Sequence, residues 1–323
     1  MKRRHLGGAD GFEVSGLCLG AMGFGTWVDE RTSYAILDRF LEAGGTFVDT
    51  ADCYAFWMDG ATGAESELLL GRWLADRGVR DRMVLATKVG GLATGPLEEW
   101  PGNAEGLSAP VIRKQAEASL RHLGTDRIDL YYAHVEDRTV PVEETVGAFG
   151  ELVRDGKVRA LGCSNLAAWR IEQSRAAARE LGVAAYGAVQ QRHTYLRPRP
   201  GADGGVNPFA GPELLDYVRD RRDELTLLAY SPQLGGAYTN PAKPLPAEYD
   251  HPDSTARLAV LRTVADELGA TVNQVVLAWL LHSDPAALPV VGASSVAQLD
   301  EALGALELDL DAELMERLDA AGA

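Results

Sequence analysis

Three residues of this chain close short apolar runs: Asp49 after Thr46-Phe47-Val48, Lys88 after Met83-Val84-Leu85-Ala86-Thr87, and His134 after 128–133, while Tyr54 follows Asp49 by five positions. A lysine at the end of an apolar strand is costly to desolvate, so it must find a carboxylate or shift its pKa. Asp49 is the natural partner. A charged Lys88 beside Tyr54 favours the phenolate, so the phenol is expected to fall from a reference pKa of about 10 toward the range of a working proton donor. His134 is suited to the other side of a reacting oxygen, where it can orient a carbonyl and steady the charge developing on it. The reaction implied is reduction of a carbonyl. None of these side chains can donate hydride, so a nicotinamide cofactor is needed to supply the electrons.

The runs that carry these residues belong to a series of eight: 17–20, 46–49, 83–88, 128–134, 158–162, 186–190, 225–230 and 287–292. Each is short, apolar or β-branched, and ends at a polar or glycine residue, as buried strands do. Residues 31–43, 108–122, 142–154 and 167–181 have amphipathic periods long enough for crossover helices. Alternating strand and helix predicts a parallel sheet. Eight units without a composition break or Ser/Gly linker predict an α/β fold, a (β/α)8 TIM barrel in which 1–323 form one domain. Residues 5–14 read as an N-terminal β-hairpin around a glycine-rich turn, placed to plug the N-terminal mouth. Residues 271–282 and 311–321 read as extra C-terminal helices. In a barrel the strand C-termini share one mouth, so Asp49, Tyr54, Lys88 and His134 converge there. Two Gly- and Pro-rich insertions, 90–106 and 231–251, belong to the same face and are candidates for a substrate wall or a cofactor clasp.

A formal net charge of −16 repels phosphate backbones and anionic lipid, which argues against nucleic-acid and membrane partners. Lys2-Arg3-Arg4 is not followed by the apolar run of a signal peptide, so the expected location is the cytoplasm. Cys18, Cys53 and Cys163 have no CxxC spacing and read as reduced, buried thiols; Cys53, beside Tyr54, is the one whose neighbours could make it reactive. His134, Glu136 and Asp137 are the alternative, a metal site, but no second histidine lies at a matching strand end and no metal is expected. The glycines of 20–25 do not fit GxGxxG. Phe56, Trp57 and Trp100 are candidates for an apolar substrate wall, with packing as the competing reading.

The segments Asp49-Thr50-Ala51-Asp52-Cys53-Tyr54, Ala86-Thr87-Lys88 and Tyr131-Tyr132-Ala133-His134 resemble the signatures of the aldo-keto reductase family, and the resemblance runs nearly end to end. It implies an NAD(P)H-dependent oxidoreductase that reduces an aldehyde or ketone to the alcohol. Tyr54 would be the acid–base, Lys88 and Asp49 would tune it, and His134 would position the substrate. Ser164 and Asn165, helped by Gln190, would hold the nicotinamide amide, with Asp49 close by and Tyr230 stacked on the ring. Ser231-Pro232-Gln233-Leu234-Gly235 resembles the pyrophosphate loop, whose backbone N–H groups and small bulk suit an anion. Gly20-Ala21-Met22 matches the loop after strand one. Gly292, Ala293, Ser294, Gln298 and Glu301 fall in the segment that holds the adenosine end, where a helix start favours phosphate.

The sequence departs from the family at Ser294, where many members carry a basic residue, and at Ala302, where Asn is common. Lys243 and Arg257 are the candidates to supply a cation for a 2′-phosphate. The reading is NADPH, with NADH left open, a small-molecule carbonyl substrate, and a monomer by default. An alternative within the family is a cofactor-sensing subunit attached to a membrane channel. Such a subunit would bind cofactor tightly with little turnover. The chain lacks a basic or helical docking appendage, so a free enzyme is the simpler reading.

Overall fold

Strand and helix alternate because local signals punctuate the chain. Asp29 caps the first helix by accepting from Thr32 N–H at 2.9 Å, a Thr271/Gln274 capping box starts another, and Ser295 caps a third; each satisfies backbone donors that a helix start leaves unpaired. The computed structural model describes residues 1–7 and 11–322. Strands β1 (Arg3–Leu6) and β2 (Phe12–Ser15) pair antiparallel. The chain then runs β3 (Cys18–Gly20), α1 (Glu30–Glu42), β4 (Phe47–Asp49), α2 (Glu65–Arg77), β5 (Val84–Val89), α3 (Ala109–Leu123), β6 (Ile128–Ala133), α4 (Val142–Arg154), β7 (Val158–Ser164), α5 (Ala168–Leu181) and β8 (Tyr186–Arg192). After these come α6 (Pro212–Asp220), β9 (Thr226–Tyr230), α7 (Pro252–Leu268), α8 (Val272–His282), β10 (Ala287–Gly292), α9 (Val296–Gly304) and α10 (Ala312–Ala320).

Strands β3 to β10 close into the expected barrel, with β10 meeting β3. Alternation along each strand divides the core. Cys18, Phe47, Ala86, Leu130, Tyr132, Ala188, Leu228, Leu288 and Val290 form one buried cluster inside the barrel, and Leu6 and Val14 of the hairpin join it. The hairpin therefore plugs the N-terminal mouth, as expected; its turn at 8–10 lies outside the described residues. Ser15 Oγ accepts from Thr46 N–H at 3.1 Å and Phe47 N–H at 3.2 Å, and Thr226 Oγ1 accepts from Gly7 N–H at 3.0 Å. These bonds tie the plug to the starts of two strands. Gly162 makes room inside the barrel: a Cβ there would sit 2.4 Å from the Tyr132 ring.

Two readings of the chain need correction. Residues 271–282 are not an extra helix; α8 is the crossover between β9 and β10 and packs on β10. The additional helix on this connection is α7, which lies against α8 and α10 and which hydrophobic periodicity did not reveal. The reason is burial. Val275 to Leu281 are all buried, so α8 has no polar face and looks unlike the amphipathic crossovers around it. Strands β7 and β8 also run two residues further than predicted, and the longer β7 brings Ser164 opposite Gln190 in the ladder. No described helix is long and apolar enough to cross a membrane.

Candidate active site

Asp49 and Lys88 lie at or near the C-terminal ends of adjacent strands β4 and β5. Lys88 is fully buried, and its Nζ spends all three donors on protein acceptors: Asp49 Oδ1, the Thr50 carbonyl at 2.8 Å, and Tyr54 Oη at 2.7 Å. An ammonium without such partners would cost several kcal/mol to bury. Asp49 is equally committed: Oδ1 also accepts from Tyr54 Oη at 3.2 Å, and Oδ2 accepts from Gln190 Nε2 at 2.8 Å. The sequence-predicted pairing of Lys88 with Asp49 beside Tyr54 is therefore present.

The predicted electrostatics of Tyr54 are not. Burial first, and the Asp49 charge second, push its phenol well above the usual value. Lys88 is matched by Asp49 in a dry site, so its charge does not free the phenolate. Tyr54 stands loaded with its proton. His134, edge-on to the Tyr54 ring at 6.0 Å between centroids, is pushed down to about 3 by burial and then by Lys88, and so is neutral. Its carbonyl accepts from Asn165 Nδ2 at 3.0 Å, and its Nδ1 lies 3.2 Å from Cys53 Sγ.

A cavity of about 1000 Å³ opens above these groups, with Asp49, Tyr54 and His134 in its wall. Phe56, Trp57 and Trp100 line one side, with centroids 5.2 Å apart for Phe56–Trp57 and 6.0 Å for Phe56–Trp100. Trp27 and Leu97, not anticipated from sequence, join that side. Trp27 was findable as an aromatic just past a strand end; Leu97 needed the fold of the 90–106 loop. The other arm of the cavity carries Gly20, Met22, Ser164, Asn165, Gln190, Tyr230, Ser231, Pro232, Gln233 and Gly235, then Gly292, Ala293, Ser294, Gln298 and Glu301. Ala21 and Leu234 do not line it. Ala21 is buried, its N–H donating to the Asp49 carbonyl and its own carbonyl accepting from Ser66, and Leu234 packs into the core. Arg192, Asn207 and Asn273 also reach the cavity from elements that carried no such signal in sequence.

Backbone strain gathers at the same mouth. Among the described residues, the non-glycine positions with positive φ are Ala55, Asn165, Ser231 and Leu234, each on a loop after a barrel strand. Such conformations cost about 1–3 kcal/mol each and persist where surrounding contacts over-determine them.

Of the two cations suggested for a 2′-phosphate, Arg257 is excluded. It is buried, donates to the Tyr195 and Ala321 carbonyls, and stacks on the Tyr195 ring. Lys243 does line the cavity, its Nζ donating to the Gly235 carbonyl at 2.6 Å. The metal alternative also changes shape. Glu136 pairs with Arg138, and Asp137 accepts from Leu107 and Thr139, so neither is free to join His134. The metal-capable atoms that do gather around His134, within 4.8 Å of one another, are those of Asp52 and Cys53. Burial raises the Cys53 thiol well above its usual value, which argues against the reactive reading.

The family model described as the Aldo/keto reductase family matches residues 16–323. The chain belongs to the aldo-keto reductase family. Over 97% of its length it is 34% identical to a Bacillus subtilis protein named uncharacterized oxidoreductase YrpG, covering 93% of that protein. It is 34% identical to norsolorinic acid reductase stcV of Emericella nidulans, covering 97% of this chain and 80% of the other. A crystal structure of the thermostable aldo-keto reductase Tm1743 in complex with the inhibitor epalrestat superposes with a TM-score of 0.75 at 27% identity, covering 99% of each chain. The family's members are oxidoreductases that act on small carbonyl compounds and in general use NAD(P)H.

The residues of this aldo-keto reductase fit such a cofactor. The second arm of the cavity runs from the tetrad to the start of α9, and a Cβ added at Gly235 or Gly292 would meet nothing within 4 Å. The backbone there is open to a bulky anionic ligand.

Proposed function

We propose that this aldo-keto reductase reduces an aldehyde or ketone to its alcohol with NADPH, and that Tyr54 is the general acid. The observation that carries the reading is the Lys88–Tyr54–Asp49 hydrogen-bond set, with neutral His134 beside it at the floor of a cavity large enough for a dinucleotide. A nicotinamide held by the residues of the cavity would supply the hydride. As negative charge grows on the carbonyl oxygen, Tyr54 transfers its phenolic proton there. Lys88, at 2.7 Å from Oη, steadies the phenolate left behind, and its bond to Asp49 keeps it aimed. His134 donates the N–H that faces the cavity to the same oxygen and fixes its direction. A positioned acid of this kind contributes about 10²–10⁴-fold.

Ser164, Asn165 and Gln190 are assigned to the nicotinamide amide and Tyr230 to its ring face. The 231–235 loop and Gly20–Met22 are assigned to the pyrophosphate side, and Gly292–Ser294 with Gln298 and Glu301 to the adenosine side. Lys243 is the cation that supports NADPH over NADH. The aromatic side formed by Phe56, Trp57 and Trp100 supports an apolar or aromatic carbonyl substrate. The test is a panel of aliphatic, sugar and aromatic carbonyl compounds, followed by loss of reduced-cofactor absorbance with each cofactor in turn. Turnover with a higher kcat/KM for NADPH is expected. A preference for NADH overturns the cofactor assignment, and no turnover with any compound overturns the reaction.

A further inference from the structure

The hydrogen bond that His134 must give a carbonyl depends on which ring nitrogen carries the proton, and in a neutral imidazole that choice is set by whatever the other nitrogen touches. Here Nδ1 touches one group, the Cys53 sulfur at 3.2 Å. Among the described residues Nε2 has no protein partner, and His134 lines the cavity.

We propose that Cys53 is a positioning residue, its S–H donating to His134 Nδ1 and so holding the proton on Nε2, where it faces the substrate oxygen. This rests on the carbonyl-reductase reading of the site.

Three observations give the direction of the bond. Cys53 is buried, and its raised pKa keeps the thiol protonated, so the sulfur has a hydrogen to place. The competing acceptor is the carboxyl of Asp52, which acts on the thiol and helps to raise its pKa, but no Asp52 oxygen meets hydrogen-bond geometry with the sulfur, whereas His134 Nδ1 does at 3.2 Å. The imidazole nitrogen is therefore the acceptor the thiol reaches. A thiol sulfur is a poor acceptor, so the reverse bond, from Nδ1–H to sulfur, would strand both the thiol proton and a bare Nε2 lone pair at the carbonyl. The pair is also confined sterically. A Cβ on Gly91 would lie 3.0 Å from His134 Nδ1 and 3.1 Å from Cys53 Sγ, so glycine on the facing loop leaves the contact undisturbed. The Asn165 bond to the His134 carbonyl holds the backbone from the other side.

The experiment is nitrogen-15 NMR of histidine-labelled protein, wild type against Cys53→Ala and Cys53→Ser, with steady-state kinetics on the best carbonyl substrate. In the wild type, Nε2 is expected to be protonated and Nδ1 to carry the shift of a hydrogen-bonded acceptor. Cys53→Ala should lose that Nδ1 signature and lower kcat about five- to ten-fold, the worth of one hydrogen bond, with cofactor affinity held. Serine, which keeps a donor at the same place, should restore both. If alanine does not fold, Cys53→Val fills the thiol volume without a donor and takes its place. A wild-type spectrum with Nδ1 protonated overturns the proposal whatever the kinetics show. So does an alanine or valine variant with unchanged Nδ1 shift and rate. If no carbonyl compound is turned over, the reductase reading fails while the spectrum still decides the role of Cys53.

Discussion

The two mouths of the barrel are built from the same eight strands with the same alternation, yet they solve opposite problems. At the N-terminal mouth, Leu6 and Val14 extend the apolar interior, and Ser15 satisfies the backbone donors of Thr46 and Phe47 at the start of β4. At the C-terminal mouth the interior positions become Asp49, Lys88, Ser164 and Gln190, with strained backbone at Ala55, Asn165 and Ser231 and with Trp27 and Trp57 about half exposed. One end stores stability and the other stores chemistry. The difference lies in what covers each end: a hairpin closes the first, while the loops that rim the second leave a cavity.

The largest effect is expected at Tyr54. Tyr54→Phe should lower kcat by about two orders of magnitude or more while cofactor affinity, followed by fluorescence titration, and urea stability stay near wild type. An unchanged kcat with rate-limiting chemistry would remove Tyr54 from the acid role. The converse change at the plugged end, Leu6→Ala, should cost about 2–4 kcal/mol of stability, read as a lower urea midpoint, with kcat of the folded enzyme little changed. A large kcat loss there would mean that the two ends are coupled. The smallest effect expected is that of pH. His134 stays neutral down to about 3, and Tyr54 keeps its proton to well above its usual value. Neither group gains or loses a proton between pH 5 and 8, so the reduction rate should be flat across that window. A limb near pH 6.5 would show that His134 titrates normally.

Much of the candidate site is legible in residue types and spacing. Lys88 at the end of an apolar strand demanded a partner, Asp49 and Tyr54 were within reach of it, and the structure brings these three and His134 to one floor. The aromatic trio was legible as a candidate wall and lines the cavity. What sequence missed follows a pattern. Arg257 sits on a helix that follows the long 231–251 loop, but its side chain turns into the core between Tyr195 and Ala321, an orientation that proximity in sequence does not encode. Residues 271–282 lost their amphipathic signature because α7 covers the face a crossover helix would normally show to water.

Eight apolar runs and the helices between them were enough to read the barrel, and residue types whose burial is tolerable only in company were enough to single out Asp49, Tyr54, Lys88 and His134 as the candidate tetrad. Folding was needed to raise the Tyr54 phenol, to hold His134 neutral, and to bring Cys53 against His134. These depend on desolvation and on distances of about 3 Å between strands far apart in the chain. Residue type tells what a group can do; only its dry neighbours tell which proton it holds.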